Sequence, residues 1–249
     1  ATLTLEADNS IFVNTSANIT STSNKLHVVL NADKDNTNAG QITVTAAAIT
    51  SNGGNITLGG GVDPTNDSAV GTDSTNKRGV YLNNGDLIAG SGNISIRGIG
   101  WTNAGTSHTS GLYINNGAVV QTTTGDIILH GIGGNNINEN HGVTLETSGT
   151  LITSVDGDIT ITGIGGSGSS QYNLGVYLVS APSITSTGIG SGAGNITVHG
   201  TGATGGDAWG VAIDSSGTLI TSVDGDITLT GIGGSQNNNN HGLICLLYT

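Results

Sequence analysis

An all-β chain wound as a single right-handed parallel β-helix is the fold class this sequence predicts, and three observations predict it. One phrase, a glycine, then Asn or Asp, then isoleucine, then alternating polar and apolar residues, recurs six times: at Gly54-Asn55-Ile56, Gly92-Asn93-Ile94, Gly125-Asp126-Ile127, Gly157-Asp158-Ile159, Gly194-Asn195-Ile196 and Gly225-Asp226-Ile227. The starts lie 38, 33, 32, 37 and 31 residues apart, a period typical of solenoids and shorter than the roughly 40–50 residues of a four-stranded propeller blade. Within each period Ile, Val and Thr alternate with period two, which is the signature of strands with one face buried and which argues against helix.

Taken in order, residues 1–62 are a degenerate stretch of the same material. Leu3-Thr4-Leu5, Leu26–Leu30 and Ile42-Thr43-Val44 are strand-like, with coils nearer 25–28 residues. Residues 63–78 form a polar insert, expected to project from the first full coil. Residues 79–249 are regular. Here a second phrase keeps step with the first: Gly79-Val80-Tyr81-Leu82, Gly111-Leu112-Tyr113-Ile114, Gly142-Val143-Thr144-Leu145, Gly175-Val176-Tyr177-Leu178 and Gly210-Val211-Ala212-Ile213, with Gly242-Leu243-Ile244 beginning a sixth copy. A third short apolar run sits between them, at Leu87-Ile88, Val119-Val120, Leu151-Ile152, Ile184 and Leu219-Ile220. Three short strands in about 32 residues, then a corner and a polar loop, make one coil of triangular section. Counted over 1–249, this predicts roughly eight coils and a rod on the order of 40 Å long. Ser148–Ser167 and Ser216–Ser235 differ only at Ile161/Leu229, which indicates duplication of a two-coil unit. The apolar run Leu243–Tyr248 departs from the alternation and reads as a buried end strand or a junction; it is too short to span a bilayer. Neither end carries a capping helix, so further coils are expected to stack on the ends, from flanking sequence or from another copy of the chain.

Composition narrows the partners. Hydrophobic residues are 35% and Gly contributes 43 positions, low for a globular core but sufficient where coil-to-coil hydrogen bonds carry the order. Lys25, Lys34, Lys77, Arg78 and Arg97 are the only strong bases, against 17 acids, for a net charge of −12. Binding to nucleic acid or an anionic membrane surface needs clustered bases and is not expected. A single cysteine, Cys245, excludes an intrachain disulfide, and the absence of methionine is expected of a processed product or an excised segment.

Few residues offer chemistry. In stacked coils Asp126 and Asp158 would lie about 5 Å apart, and with Asp156 they could hold a calcium ion. The same column also holds Asn55, Asn93 and Asn195, as expected of a tight turn where Asn and Asp alike tolerate left-handed backbone geometry. Asp33-Lys34-Asp35-Asn36 begins like a calcium loop but lacks its later glycine and acid. Aromatic residues are 3% of the chain, and alternation points Tyr81 and Tyr113 outward on adjacent coils, as a sugar-stacking platform or a simple cross-coil ladder. Thr160/Thr162 and Thr228/Thr230 would suit an ice-binding face, but Arg97, His130 and His199 break that column. The six histidines read as loop or surface residues. No recognised catalytic motif is present, and no catalytic residue or cofactor is assigned, calcium aside.

The phrases Leu30–Asp35, Ile49–Gly61 and Gly157–Gly166 resemble the β-solenoid repeats of bacterial filamentous-haemagglutinin-type exoproteins, especially the Gly/Asn/Thr-rich versions of cyanobacteria. The resemblance implies a right-handed β-helical rod exported by two-partner secretion, placed outside the cell or on its surface, acting in adhesion or as a fibre. It covers nearly the whole chain, yet neither the amino-terminal secretion domain nor a distal adhesive domain of that family is visible. The expected function is therefore a non-catalytic structural rod, with itself or flanking coils as partner and cell-surface glycans as a further one. The alternative is a polysaccharide-binding or polysaccharide-degrading module on the same scaffold.

Overall fold

The computed structural model describes residues 1–103, 105–169, 171–235 and 239–246. It is a parallel β-solenoid of three sheets. The first phrase builds the first sheet, with strands Thr2–Glu6, His27–Ala32, Ile56–Gly60, Ile94–Ile99, Ile127–Ile132, Ile159–Ile164, Ile196–Thr201 and Ile227–Ile232 stacked in that order. The second phrase builds the second sheet, from Ile11–Val13 through Ile42–Thr45, Val80–Asn83, Leu112–Asn115, Val143–Glu146, Val176–Val179 and Val211–Asp214 to Leu243–Leu246. The third run builds the third, from Ile19–Thr20 to Leu219–Ser222. Each coil visits the sheets in the order first, second, third, which gives seven complete turns and part of an eighth. Among the described residues the only helical element is a 3-10 turn at Gly190–Gly192.

Register explains why the phrases repeat. Ile56, Ile94, Ile127, Ile159 and Ile196 lie directly above one another and are all fully buried. The column two residues on, Leu58, Ile96, Leu129, Ile161 and Val198, is equally buried. These inward side chains meet those of the other sheets in one continuous core, and burying each stabilises the stack by roughly 1.5–3 kcal/mol. The intervening residues point outward.

The glycines follow from close backbone approach. A Cβ on Gly92, Gly125, Gly157 or Gly194 would lie 1.9–2.0 Å from the carbonyl oxygen of the same glycine one coil below. A second column, Gly98, Gly131, Gly163 and Gly200, closes the corner between the first and second sheets, where a Cβ would sit 2.0–2.4 Å from a carbonyl of the second phrase's glycine.

The structure alters three expectations. Segment 63–78 is partly built into the wall, because Ala69-Val70 rejoins the first sheet beside Gly98-Ile99 and continues the strand that the insert interrupts. Leu243–Leu246 keeps the alternation, pairing in register with Val211–Asp214; Leu243 is 45% exposed because no described coil covers it. Leu247 and Tyr248 lie outside the described residues. Positive φ occurs not in the Asn/Asp column but at other turns, including Asn84, Asn116 and Thr147.

Gly125→Ala is expected to lower stability by roughly 1–3 kcal/mol through overpacking, whereas Gly192→Ala, whose Cβ would meet nothing within 4 Å, should leave it unchanged. Urea melts followed by circular dichroism compare the two; equal melts would remove the steric account of the glycine columns.

Candidate functional site

The Asn/Asp column is a hydrogen-bond ladder. The backbone N–H of Asn93 donates to Asn55 Oδ1 at 3.1 Å, Asp126 N–H to Asn93 Oδ1 at 2.9 Å, Asp158 N–H to Asp126 Oδ1 at 3.0 Å, Asn195 N–H to Asp158 Oδ1 at 2.8 Å, and Asp226 N–H to Asn195 Oδ1 at 2.8 Å. Each side chain supplies the acceptor that the next coil's amide lacks. That is why Asn and Asp interchange here, rather than a left-handed turn. Asp126 and Asp158 are thus brought together by a peptide amide. Asp156 sits two residues before Asp158, with Oδ1 beside Gly188 of the next coil. Among the described residues no three His, Cys, Asp or Glu side chains converge as a metal site. Asp33 is buried, and its carboxylate accepts the N–H groups of Thr37, Asn38 and Ala39 at 2.9–3.1 Å.

Tyr81 and Tyr113 are register partners on the outer face of the second sheet, with ring centroids 5.4 Å apart and 41° between planes. Their exposed side is not open. The Arg78 guanidinium lies 4.7 Å from one ring centroid and 4.1 Å from the other, a cation–π contact with both rings. The Tyr113 hydroxyl donates to Glu146 on the next coil; burial and this carboxylate raise its pKa well above the ordinary phenol value.

Sequence reasoning missed a groove along this sheet. Loops from the first sheet to the second stack on one another and form its wall. Counted back from the glycine of each second phrase, the residue two before points into the loop stack. There Thr109 Oγ1 donates to Asn140 Oδ1 at 2.5 Å, and Asn140 Nδ2 to Asn173 Oδ1 at 2.9 Å; Asn173 Nδ2 donates to the Thr204 carbonyl at 2.8 Å. The residues one and three before line the groove: Arg78, Ser110, His141, Leu174 and Trp209 in one column, Asn76, His108, Glu139 and Tyr172 in the other. The outward residues of the second sheet are the floor. Three cavities follow the axis, of about 180, 240 and 340 Å³. The first two share Arg78, and the last two share Glu139, His141 and Tyr177.

His141 is the principal correction to the surface reading of the histidines. It is 6% exposed, packs 5.0 Å from the Tyr177 ring, and accepts the Leu174 N–H at Nδ1 at 3.4 Å. Burial first, and the nearby His108 second, push its pKa down to about 3, so its imidazole is neutral across the physiological range. The Tyr177 hydroxyl donates to Asp214 Oδ2 at 3.0 Å, and burial together with that carboxylate raises its pKa. His108 Nδ1 pairs with Glu139 Oε2.

Asp158→Asn should leave stability unchanged, while Asp158→Ala should cost about 1 kcal/mol by orphaning the Asn195 amide. Thermal melts with and without calcium would reveal a metal role if the Asn variant lost a calcium-dependent shift. Acid should weaken the fold through His141. Its folded pKa lies below the unfolded value of 6.5, so its contribution is present above pH 6.5 and is lost as the pH falls toward 3, because the unfolded chain takes up the proton first. Between pH 7.5 and 4.5 the wild type should lose about 2 kcal/mol more than His141→Gln in urea melts; equal losses would contradict the burial argument.

No family model matches the chain, and comparison with curated proteins and with solved structures likewise finds no match; what the geometry establishes is a parallel β-solenoid.

Proposed function

We propose that this chain is a non-catalytic structural rod in a secreted bacterial adhesin or extracellular surface fibre, of the filamentous-haemagglutinin type exported by two-partner secretion. The supporting observation is the uniform register of the stack: Ile56, Ile94, Ile127, Ile159 and Ile196 form one fully buried column, coil upon coil, within a single continuous core. A repeat of this kind specifies length and stiffness, and further coils, of the same chain or of a second copy, are the partners that fit it. Membrane insertion is not part of this reading; among the described residues no helix is long and apolar enough to cross a membrane.

A spacer works by length, and the internal duplication gives a clean test. Deleting residues 148–215 joins Thr147 to Ser216 in register and removes two coils. The shortened protein should fold and lose about 10 Å of axial length, read as the maximum dimension in small-angle scattering and as fibre length by negative-stain microscopy of the secreted parent. A parent fibre of unchanged length would overturn the structural-rod assignment.

A further inference from the structure

The groove along the second sheet concentrates most of the chain's few aromatic residues. There are eight aromatic side chains in the sequence, and Phe12, Tyr81, Tyr113, Tyr172, Tyr177 and Trp209 all line it. Trp209 and Tyr177 belong to a small apolar cluster with Leu174 and Ala212, but the interior columns are aliphatic and none of the other four aromatics belongs to a buried cluster. The loop wall adds an independent sign. The position three before each second-phrase glycine is left-handed in four consecutive coils, at His108 (φ 61°), Glu139 (φ 55°), Tyr172 (φ 62°) and Asp207 (φ 50°). Glycine adopts that geometry without strain, and this chain uses glycine freely elsewhere. Keeping a side chain there, a tyrosine above all, spends backbone strain to hold a functional group at the rim of the groove.

We infer that the 340 Å³ cavity bounded by Tyr172, Tyr177, Trp209, Glu139, Asp214 and His141 is a binding subsite for an uncharged pyranose polysaccharide, which lies along the rod axis. The chemistry of the lining selects this ligand. Tyr172 is 40% exposed at the lip and meets the indole of Trp209 edge-on, with centroids 6.0 Å apart. The Tyr172 ring covers the C–H face of a sugar, while Trp209, 8% exposed and donating its Nε1–H to the Asn239 carbonyl, backs it from below. The carboxylates of Glu139 and Asp214 accept hydroxyl hydrogen bonds, as in other largely apolar sites with a few placed polar groups. No lysine or arginine lines this cavity, His141 is neutral, and the chain carries a net charge of −12, so uronate and sulfated polymers are disfavoured. The cavity opens into its 240 Å³ neighbour through shared residues, giving room for a second sugar over the next coil. Beyond that, Arg78 seated on Tyr81 and Tyr113 closes the run. The subsite goes beyond the structural-rod assignment and does not depend on it.

Affinity electrophoresis of the whole chain through gels containing β-glucan, xylan, galactomannan or polygalacturonate tests this. Retardation is expected on at least one neutral polymer and not on polygalacturonate. Tyr172→Asn keeps a residue that tolerates the left-handed backbone and should weaken retardation at least tenfold. Val62→Ala, at an 82% exposed position outside the groove, should leave it unchanged, and circular dichroism checks that both variants fold. Tyrosine-independent retardation, equal retardation on polygalacturonate, or none on any neutral polymer would each overturn the assignment. None of these outcomes bears on fibre length.

Discussion

Every feature of this rod depends on each residue lying directly above its counterpart one coil away. Parallel strands about 4.8 Å apart permit no lateral slack, so at the first phrase the backbone carbonyl of one coil occupies the space that a Cβ of the next would need, and at the turn into the second sheet a carbonyl of the same coil does. Gly92, Gly125, Gly157 and Gly194 meet that demand at the first phrase, and Gly98, Gly131, Gly163 and Gly200 at the turn into the second sheet. Once the corners can close, the inward isoleucine and leucine columns stack into one buried core, and the Asn/Asp side chains reach the amide of the next coil.

Strict register in the strands pushes all variation into the loops. The spacing from Ile56 to Ile94 is enlarged by the excursion before Ala69-Val70, and that from Ile159 to Ile196 by the segment around the 3-10 turn Gly190–Gly192. Neither disturbs the strands on either side. The loops from first to second sheet vary in sequence yet keep a buried rung, Thr109, Asn140 and Asn173, which ties each to the next. Alternation about that rung is what turns the flanking residues toward the groove. A repetitive scaffold therefore carries a non-repetitive surface, with a different side chain at the rim of each coil.

Much of this was legible in advance. Period and alternation placed the three strands of each coil, and they set Tyr81 beside Tyr113. The role of the Asn/Asp column was misread, because Asn and Asp favour both left-handed turns and acceptor positions, and only the φ values and the partner amides separate the two. His141 was misread for a related reason. It lies in a polar loop, and nothing in the loop's composition tells which of its residues turn inward. Arg78 over the tyrosine pair was invisible as well, being three residues from Tyr81 in sequence but delivered to both rings by the path of the loop.

The sequence by itself determined the coil: its period, its three strands, its inward columns and the glycines that let coils approach. These are local and repeated, so each copy reports the same constraint and the pattern accumulates along the chain. Only the tertiary structure decided the groove. Its wall and floor come from residues on different coils and on opposite sides of a loop, and their meeting depends on the inter-coil hydrogen bonds that stack those loops, which no single period records.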